Sequence, residues 1–212
     1  MDTKDVLKTG TTTVGVKCKD AIILAADKRA TAGNLIADKQ TKKVYIINDN
    51  MAMTVAGSVS DIQLLAKLIK AELKLKDFRV GRTSNVKEAA NLLSSMVYNN
   101  IRKMSMMPGI SHFLFAGHDN KGFSLYDIFP DGSLTEINNF VASGSGSVFA
   151  YGVLETLYEE NMSEEDAIKL VIKAINAALQ RDTGSGNGID VVKITKEGTE
   201  EIMTQKLNIK LE

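Results

Sequence analysis

The 212 residues include one cysteine, two histidines, two prolines and no tryptophan. A single cysteine cannot close an internal disulfide or build a multi-thiolate zinc site, so disulfide scaffolds and most metal chemistry lack their ligands. The two histidines, His112 and His118, stand six positions apart around a short apolar stretch and lack metal-site spacing. Mechanisms that need several histidines are excluded, and a hydrolase built from this sequence must find its general base elsewhere. Excess charge is absent as well: 26 Lys and Arg balance 26 Asp and Glu, so neither nucleic acid nor an anionic membrane has global electrostatic support as a partner. No stretch approaches the roughly 20 apolar residues that span a bilayer. The opening residues, MDTKDVLKTG, carry charges where a signal peptide has its apolar region. The expectation is a soluble, cytoplasmic protein with no cofactor.

What is present reads as an ordinary globular composition, 44% hydrophobic and 25% charged, with enough length for one large domain. Thr12 to Cys18 alternates with period two, and Ala21 to Ala26 is a continuous apolar run; Lys19-Asp20 between them makes a hairpin turn. Lys43 to Ile47 and Met51 to Val55 repeat the scheme around Asn48-Asp49-Asn50. The period then becomes helical at Ile62, Leu65, Ile69 and Leu73, after Ser60 as a candidate N-cap, and again at Ala89, Leu93, Met96 and Val97. Strands return in Phe113 to Gly117, Phe123 to Phe129 and Leu134 to Val141. Two further helices follow, one marked by Tyr151, Leu154 and Tyr158, the other by Ala167 to Ala178 behind the capping pattern Ser163-Glu-Glu-Asp166. Ile189 to Thr195 and Glu201 to Gln205 close the chain as strands. Strands, two helices, strands, two helices, strands is not the alternation of a doubly wound parallel sheet. The order predicts an α+β fold in which each half supplies an antiparallel sheet and a helix pair, with the sheets stacked and the helices outside.

Four features carry candidate chemistry. Gly10-Thr11-Thr12-Thr13 precedes the first strand. Threonines commonly start strands, but cleavage after Gly10 would make Thr11 a new N-terminus, its hydroxyl the nucleophile and its own α-amine the base. A free α-amine has a pKa of about 7.7 to 8.0, near the optimum for a general base. Asp27-Lys28-Arg29 and Lys43 are ordinary turn charges on one reading; on the other, Asp27 and Lys43 pair beside Thr11 and favour its deprotonated hydroxyl. Ala56-Gly57-Ser58 lies at a strand-to-helix junction, where a glycine facing the nucleophile could offer its N–H to an oxyanion. The loops Ser143 to Ser147 and Arg181 to Asn187 can deliver Ser145, Asp182 and Ser185 into a hydrogen-bonded cluster. Neither loop has the Lys-Ser/Thr ending of a P-loop, which disfavours nucleotide binding. Cys18 continues an apolar strand face and reads as a small core residue.

Taken jointly, Gly10-Thr-Thr-Thr-Val-Gly, Ala26-Asp27-Lys-Arg, Lys42-Lys43-Val, Ala56-Gly57, Gly144-Ser145-Gly-Ser, Tyr151-Gly-Val-Leu-Glu and Gln180-Arg-Asp182-Thr-Gly-Ser185-Gly resemble, in order and spacing, the archaeal-type beta subunits of the proteasome. These are N-terminal-nucleophile hydrolases, and the resemblance covers essentially the whole chain. It implies a four-layer αββα sandwich, with residues 1 to 10 a propeptide removed by autocatalysis and residues 11 to 212 one catalytic domain. By the same resemblance Thr11 is the nucleophile of a threonine endopeptidase, Asp27 and Lys43 are its charged supports, and Gly57 supplies the oxyanion N–H. Ser145, Asp182 and Ser185 complete the network around the Thr11 amine. Thr31 holds the substrate backbone as an added strand, and Ala30, Thr41 and Val55 line an uncharged pocket for the residue before the cut. Implied partners are homo-oligomeric beta rings, proteasome alpha subunits, a regulatory unfolding ATPase and unfolded polypeptide substrates. The rivals are a non-catalytic ring subunit, a bacterial two-component protease of related fold and, more distantly, a nucleotide-binding protein.

Overall fold

A computed structural model of the chain describes residues 10–106 and 108–207. The remainder of the expected propeptide, residues 1–9, and the last five residues lie outside the described residues.

The first strand, β1 (Thr13–Lys17), turns at Lys19-Asp20 into β2 (Ile22–Asp27) as the alternation predicts, and the two pair antiparallel from Thr13↔Ala26 to Lys17↔Ile22. A short hairpin follows, β3 (Ala30–Ala32) and β4 (Leu35–Asp38), folded around Gly33 at φ 60°. It is largely exposed and has no apolar alternation, so the sequence pattern does not signal it. Next come β5 (Val44–Asn48), β6 (Met51–Gly57), α1 (Val59–Val80), α2 (Val86–Ile101), β7 (Ser111–Asp119), β8 (Gly122–Ile128) and β9 (Leu134–Ile137). The chain closes through β10 (Phe140–Ser143), α3 (Ser147–Leu157), α4 (Glu164–Arg181), β11 (Gly188–Ile194) and β12 (Thr199–Lys206).

Two five-stranded antiparallel sheets result, one in the order β10-β1-β2-β11-β12 and one in the order β5-β6-β7-β8-β9. Ile22, Leu24, Val192 and Ile194 of the first sheet meet Ala52, Leu114, Ala116 and Leu125 of the second in a dry layer between them. The opposite face of the first sheet is covered by α3 and α4, through Leu154, Leu170, Val171 and Ile175. That of the second is covered by α1 and α2, through Ile62, Leu65, Ile69 and Leu93. The continuous apolar run of β2 follows from this stacking, because both faces of the strand are buried. This is the α+β, αββα sandwich. No helix among the described residues is long and apolar enough to cross a membrane.

The structure departs from the sequence expectations in three places. The first sheet draws strands from both ends of the chain, so the halves do not each supply one sheet. The run Leu134 to Val141 is two strands in different sheets, because Asn138-Asn139 carries the chain across, with the Asn139 Oδ1 accepting the Phe140 N–H at 2.7 Å. The first helix is capped at Ser58 rather than Ser60, since β6 passes into α1 at Gly57, whose φ of 126° turns the chain there. The second helix starts with a capping box whose pattern, Asn85-Val-Lys-Glu88, is present in the sequence although it is not among the expectations; Asn85 and Glu88 satisfy each other's backbone N–H groups.

Candidate active site

Thr11 lies just ahead of β1, 5% exposed, at the end of the interface between the sheets. Its hydroxyl donates to the Gly10 carbonyl at 2.6 Å and accepts from the Lys43 ammonium at 3.0 Å. Lys43 precedes β5 and donates to the Asp27 carboxylate at 2.7 Å. Asp27 ends β2 and is held by the backbone N–H groups of Thr12, Arg29 and Gly186, at 2.9 to 3.0 Å. Both side chains are buried, so burial pulls the Lys43 ammonium below the ordinary lysine value and the Asp27 carboxylate opposes that pull. A cation at this distance favours the deprotonated form of the hydroxyl it touches.

The Thr11 N–H donates to the Ser145 Oγ at 3.2 Å. The Ser145 hydroxyl donates to Asp182 Oδ2 at 2.7 Å, and Ser185 donates to the same oxygen at 2.6 Å. With the Ser185 proton so used, Thr12 Oγ1 donates to Ser185 Oγ across 2.6 Å. Asp182 is the C-cap of α4, and Ser145 sits in the turn between β10 and α3. Helix ends and turns thus converge on one backbone nitrogen.

Gly10 is wedged in place. Its N–H donates to the Thr31 hydroxyl at 2.8 Å, and a Cβ added to it would come within 2.0 Å of the Gly184 Cα. Two cavities flank it. A cavity of about 280 Å³ is bordered by Thr11, Lys43, Ala30, Thr41 and Val55, together with Tyr45. A larger one of about 950 Å³ is bordered by Ser145, Asp182, Gly184 and His112. Gly10, Thr31 and Gly57 border both. The site residues expected from the sequence therefore gather around Thr11, directly or along one of these cavities, except Asp27, which joins through Lys43, and Ser185, which joins through Asp182.

The model of the proteasome subunit family matches residues 7–194. The chain belongs to the proteasome subunit family. It is 48% identical over 195 residues to a proteasome subunit beta of Methanocaldococcus sp. (strain FS406-22), covering 92% of this chain and 85% of that one. It is 45% identical over 203 residues to a proteasome subunit beta of Ferroglobus placidus, covering 96% and 95%. A proteasome subunit beta of Methanopyrus kandleri is 42% identical over 193 residues, covering 91% and 90%.

Within this family member, sequence reasoning missed two contributors to the site, Arg29 and Thr12, and a structural ion pair beside it. Arg29 donates through Nε to Asn187 Oδ1 at 2.8 Å and through a terminal nitrogen to the Thr183 carbonyl at 2.9 Å, tying down the loop that carries Ser185. Lys28, read only as a turn charge, makes a buried ion pair with Asp190 at 2.6 Å. The available signal was Asp190 itself, an acid inside the apolar strand Ile189 to Ile194. Thr12, read only as a strand residue, supplies both its N–H and its hydroxyl.

Proposed function

We propose that the chain is a catalytic beta subunit of a 20S proteasome core particle, a threonine endopeptidase that is made as a zymogen and frees its own nucleophile. The observation that carries this reading is the contact set on the Thr11 hydroxyl: the Gly10 carbonyl at 2.6 Å on one side, and the buried Lys43 at 3.0 Å, backed by Asp27, on the other. A non-catalytic ring subunit has no need of a buried, desolvated lysine at a threonine hydroxyl, because burying that charge is costly.

In the uncut chain the Thr11 nitrogen is an amide and cannot act as a base. Its Oγ attacks the Gly10 carbonyl carbon, the Gly10–Thr11 C–N bond breaks, and the hydroxyl proton passes to the nitrogen, which becomes an amine. Water then hydrolyses the ester, releasing the segment that ends at Gly10 and restoring the hydroxyl. Lys43, 3.5 Å from the Gly10 carbonyl oxygen, faces the negative charge that develops there. In the mature site the amine takes the Oγ proton as Oγ attacks a peptide carbonyl, then gives it to the departing nitrogen; water releases the acyl group. Ser145, Asp182 and Ser185 hold the amine, and the Gly57 N–H receives the oxyanion. Thr31 on β3 pairs with the extended substrate, while Ala30, Thr41 and Val55 receive the residue before the cut and favour apolar side chains. Family membership supports assembly into rings with alpha subunits; that the beta rings are homo-oligomeric, that an unfolding ATPase feeds them polypeptides and that the compartment is the cytoplasm are parts of the same proposal.

The test is Thr11→Ala in particles assembled with alpha subunits. Peptidase activity is expected to fall by roughly 10³-fold or more, with the leader retained. An active, correctly trimmed Thr11→Ala chain would overturn the proposal. Fluorogenic peptides that differ before the cut should be cleaved fastest after apolar residues; a preference for acidic or basic ones contradicts the pocket assignment.

A further inference from the structure

His112 is half-buried at the start of β7, and the reaction described above gives it no task. Its Nε2 lies 2.6 Å from Asp127 Oδ1 on β8, and its Nδ1 lies 2.8 Å from the Ser143 Oγ at the end of β10. The Phe129 ring lies against it, with centroids 4.8 Å apart. We propose that His112, oriented by Asp127, is a positioning residue that holds the Ser143–Gly146 turn against Thr11 and so sets Ser145 at the nucleophile's nitrogen.

Beside His112, the turn is anchored by the Ser145 hydroxyl on Asp182 Oδ2 at 2.7 Å and by Thr11 itself, while its two flanks are weakly held. β10 is the edge strand of its sheet, paired only with β1, and its register ends at Thr13↔Ser143. The helix that follows has Gly146 as its N-cap, with no side-chain cap. Yet the turn touches Thr11 at every step. A Cβ on Gly144 would strike the Thr11 carbonyl oxygen at 2.1 Å, Ser145 accepts the Thr11 N–H, and the Gly146 N–H donates to the Thr11 carbonyl at 3.3 Å. A displacement of a few tenths of an ångström in this turn is felt at the nitrogen that becomes the base.

His112 ties the turn to the opposite sheet, and its hydrogen bonds have a fixed sense. The Asp127 carboxylate only accepts, so in the neutral ring Nε2 carries the proton and Nδ1 accepts; the Ser143 hydroxyl is then the donor. The Ser–His–Asp order does not make a second nucleophile, because Ser143, unlike Thr11, borders neither of the two cavities. It is a strut between two sheets with its far end at the catalytic turn.

The inference rests on Thr11 as nucleophile, so Thr11→Ala and Ser145→Ala particles are assayed beside the new variants. Ser143→Ala and His112→Phe are expected to lower kcat and the rate of leader removal about tenfold, with KM within about twofold. His112→Gln, whose amide can accept from Ser143 and donate to Asp127, should recover most of that loss. In a Ser145→Ala background, adding Ser143→Ala should change kcat by less than about twofold, since the strut acts through Ser145. Unchanged kcat in Ser143→Ala overturns the inference, as does an equal loss with and without Ser145. Should His112→Phe fail to assemble, Ser143→Ala decides alone. Full activity in Thr11→Ala would instead overturn the reading beneath it.

Discussion

Asp27 and Lys28 are neighbours at the end of β2, and each enters a buried ion pair of nearly the same length: Asp27 with Lys43 at 2.7 Å, Lys28 with Asp190 at 2.6 Å. Only the first pair touches Thr11. The two carboxylates are also supported differently. Asp27 accepts three backbone N–H groups besides its lysine, whereas Asp190 has Lys28 on both oxygens and, beyond it, one hydroxyl from Thr204. Asp27 thus keeps most of its partners if its lysine is removed, and Asp190 does not. Lys43 sets its cation against the Thr11 hydroxyl, on a carboxylate that the backbone already satisfies. In Lys28 the cation satisfies the carboxylate and holds β11 to the end of β2.

The sharpest way to break this comparison is to delete each lysine in turn. Lys43→Met should reduce peptide hydrolysis and leader removal by roughly 10²- to 10³-fold, the usual effect of losing one group that stabilises developing charge. Its thermal unfolding midpoint should move less than that of Lys28→Met. Lys28→Met leaves Asp190 charged and nearly alone, which should cost about 3 to 5 kcal/mol in denaturant unfolding, while kcat of the particles that assemble stays within about threefold of wild type. If Lys28→Met is as inactive as Lys43→Met while remaining folded, the distinction fails.

A smaller effect separates processing from turnover. Gly10→Ala places a methyl against Gly184, so leader removal should slow by about 10²-fold in a mass-spectrometric time course, while chains that have been cut show the wild-type kcat. The smallest effect lies at the surface. Glu88 is held down to about 2, first by Arg82 and then by Lys76. A depressed carboxylate contributes stability above its unfolded value near 4.5, and that contribution is lost as pH falls towards 2. Urea unfolding of Glu88→Gln should therefore differ from wild type at neutral pH by about 0.5 to 1 kcal/mol and converge with it near pH 2. A surface pair worth as much as Lys28–Asp190 would contradict the role assigned to burial.

The comparison also shows what the sequence made legible. Period-two and helical repeats marked the strands and helices that build the layers, because each has one face to bury. They missed the β3–β4 hairpin, which is largely exposed and so leaves no apolar trace. They merged β9 with β10, because a local pattern does not reveal that a strand changes sheets at Asn138-Asn139. At the site, Thr11, Asp27 and Lys43 were legible as residue types of matching chemistry. Lys28–Asp190 and the Ser143–His112–Asp127 strut were not, because no candidate nucleophile or turn motif groups their members, which meet only through tertiary packing.

The most direct measurement is the intact mass of the wild-type chain after assembly with alpha subunits. A chain that begins at Thr11, and remains uncut in the Thr11→Ala variant, is the expected result. A wild-type chain that retains residues 1 to 10 while hydrolysing peptides would contradict an N-terminal threonine as the nucleophile.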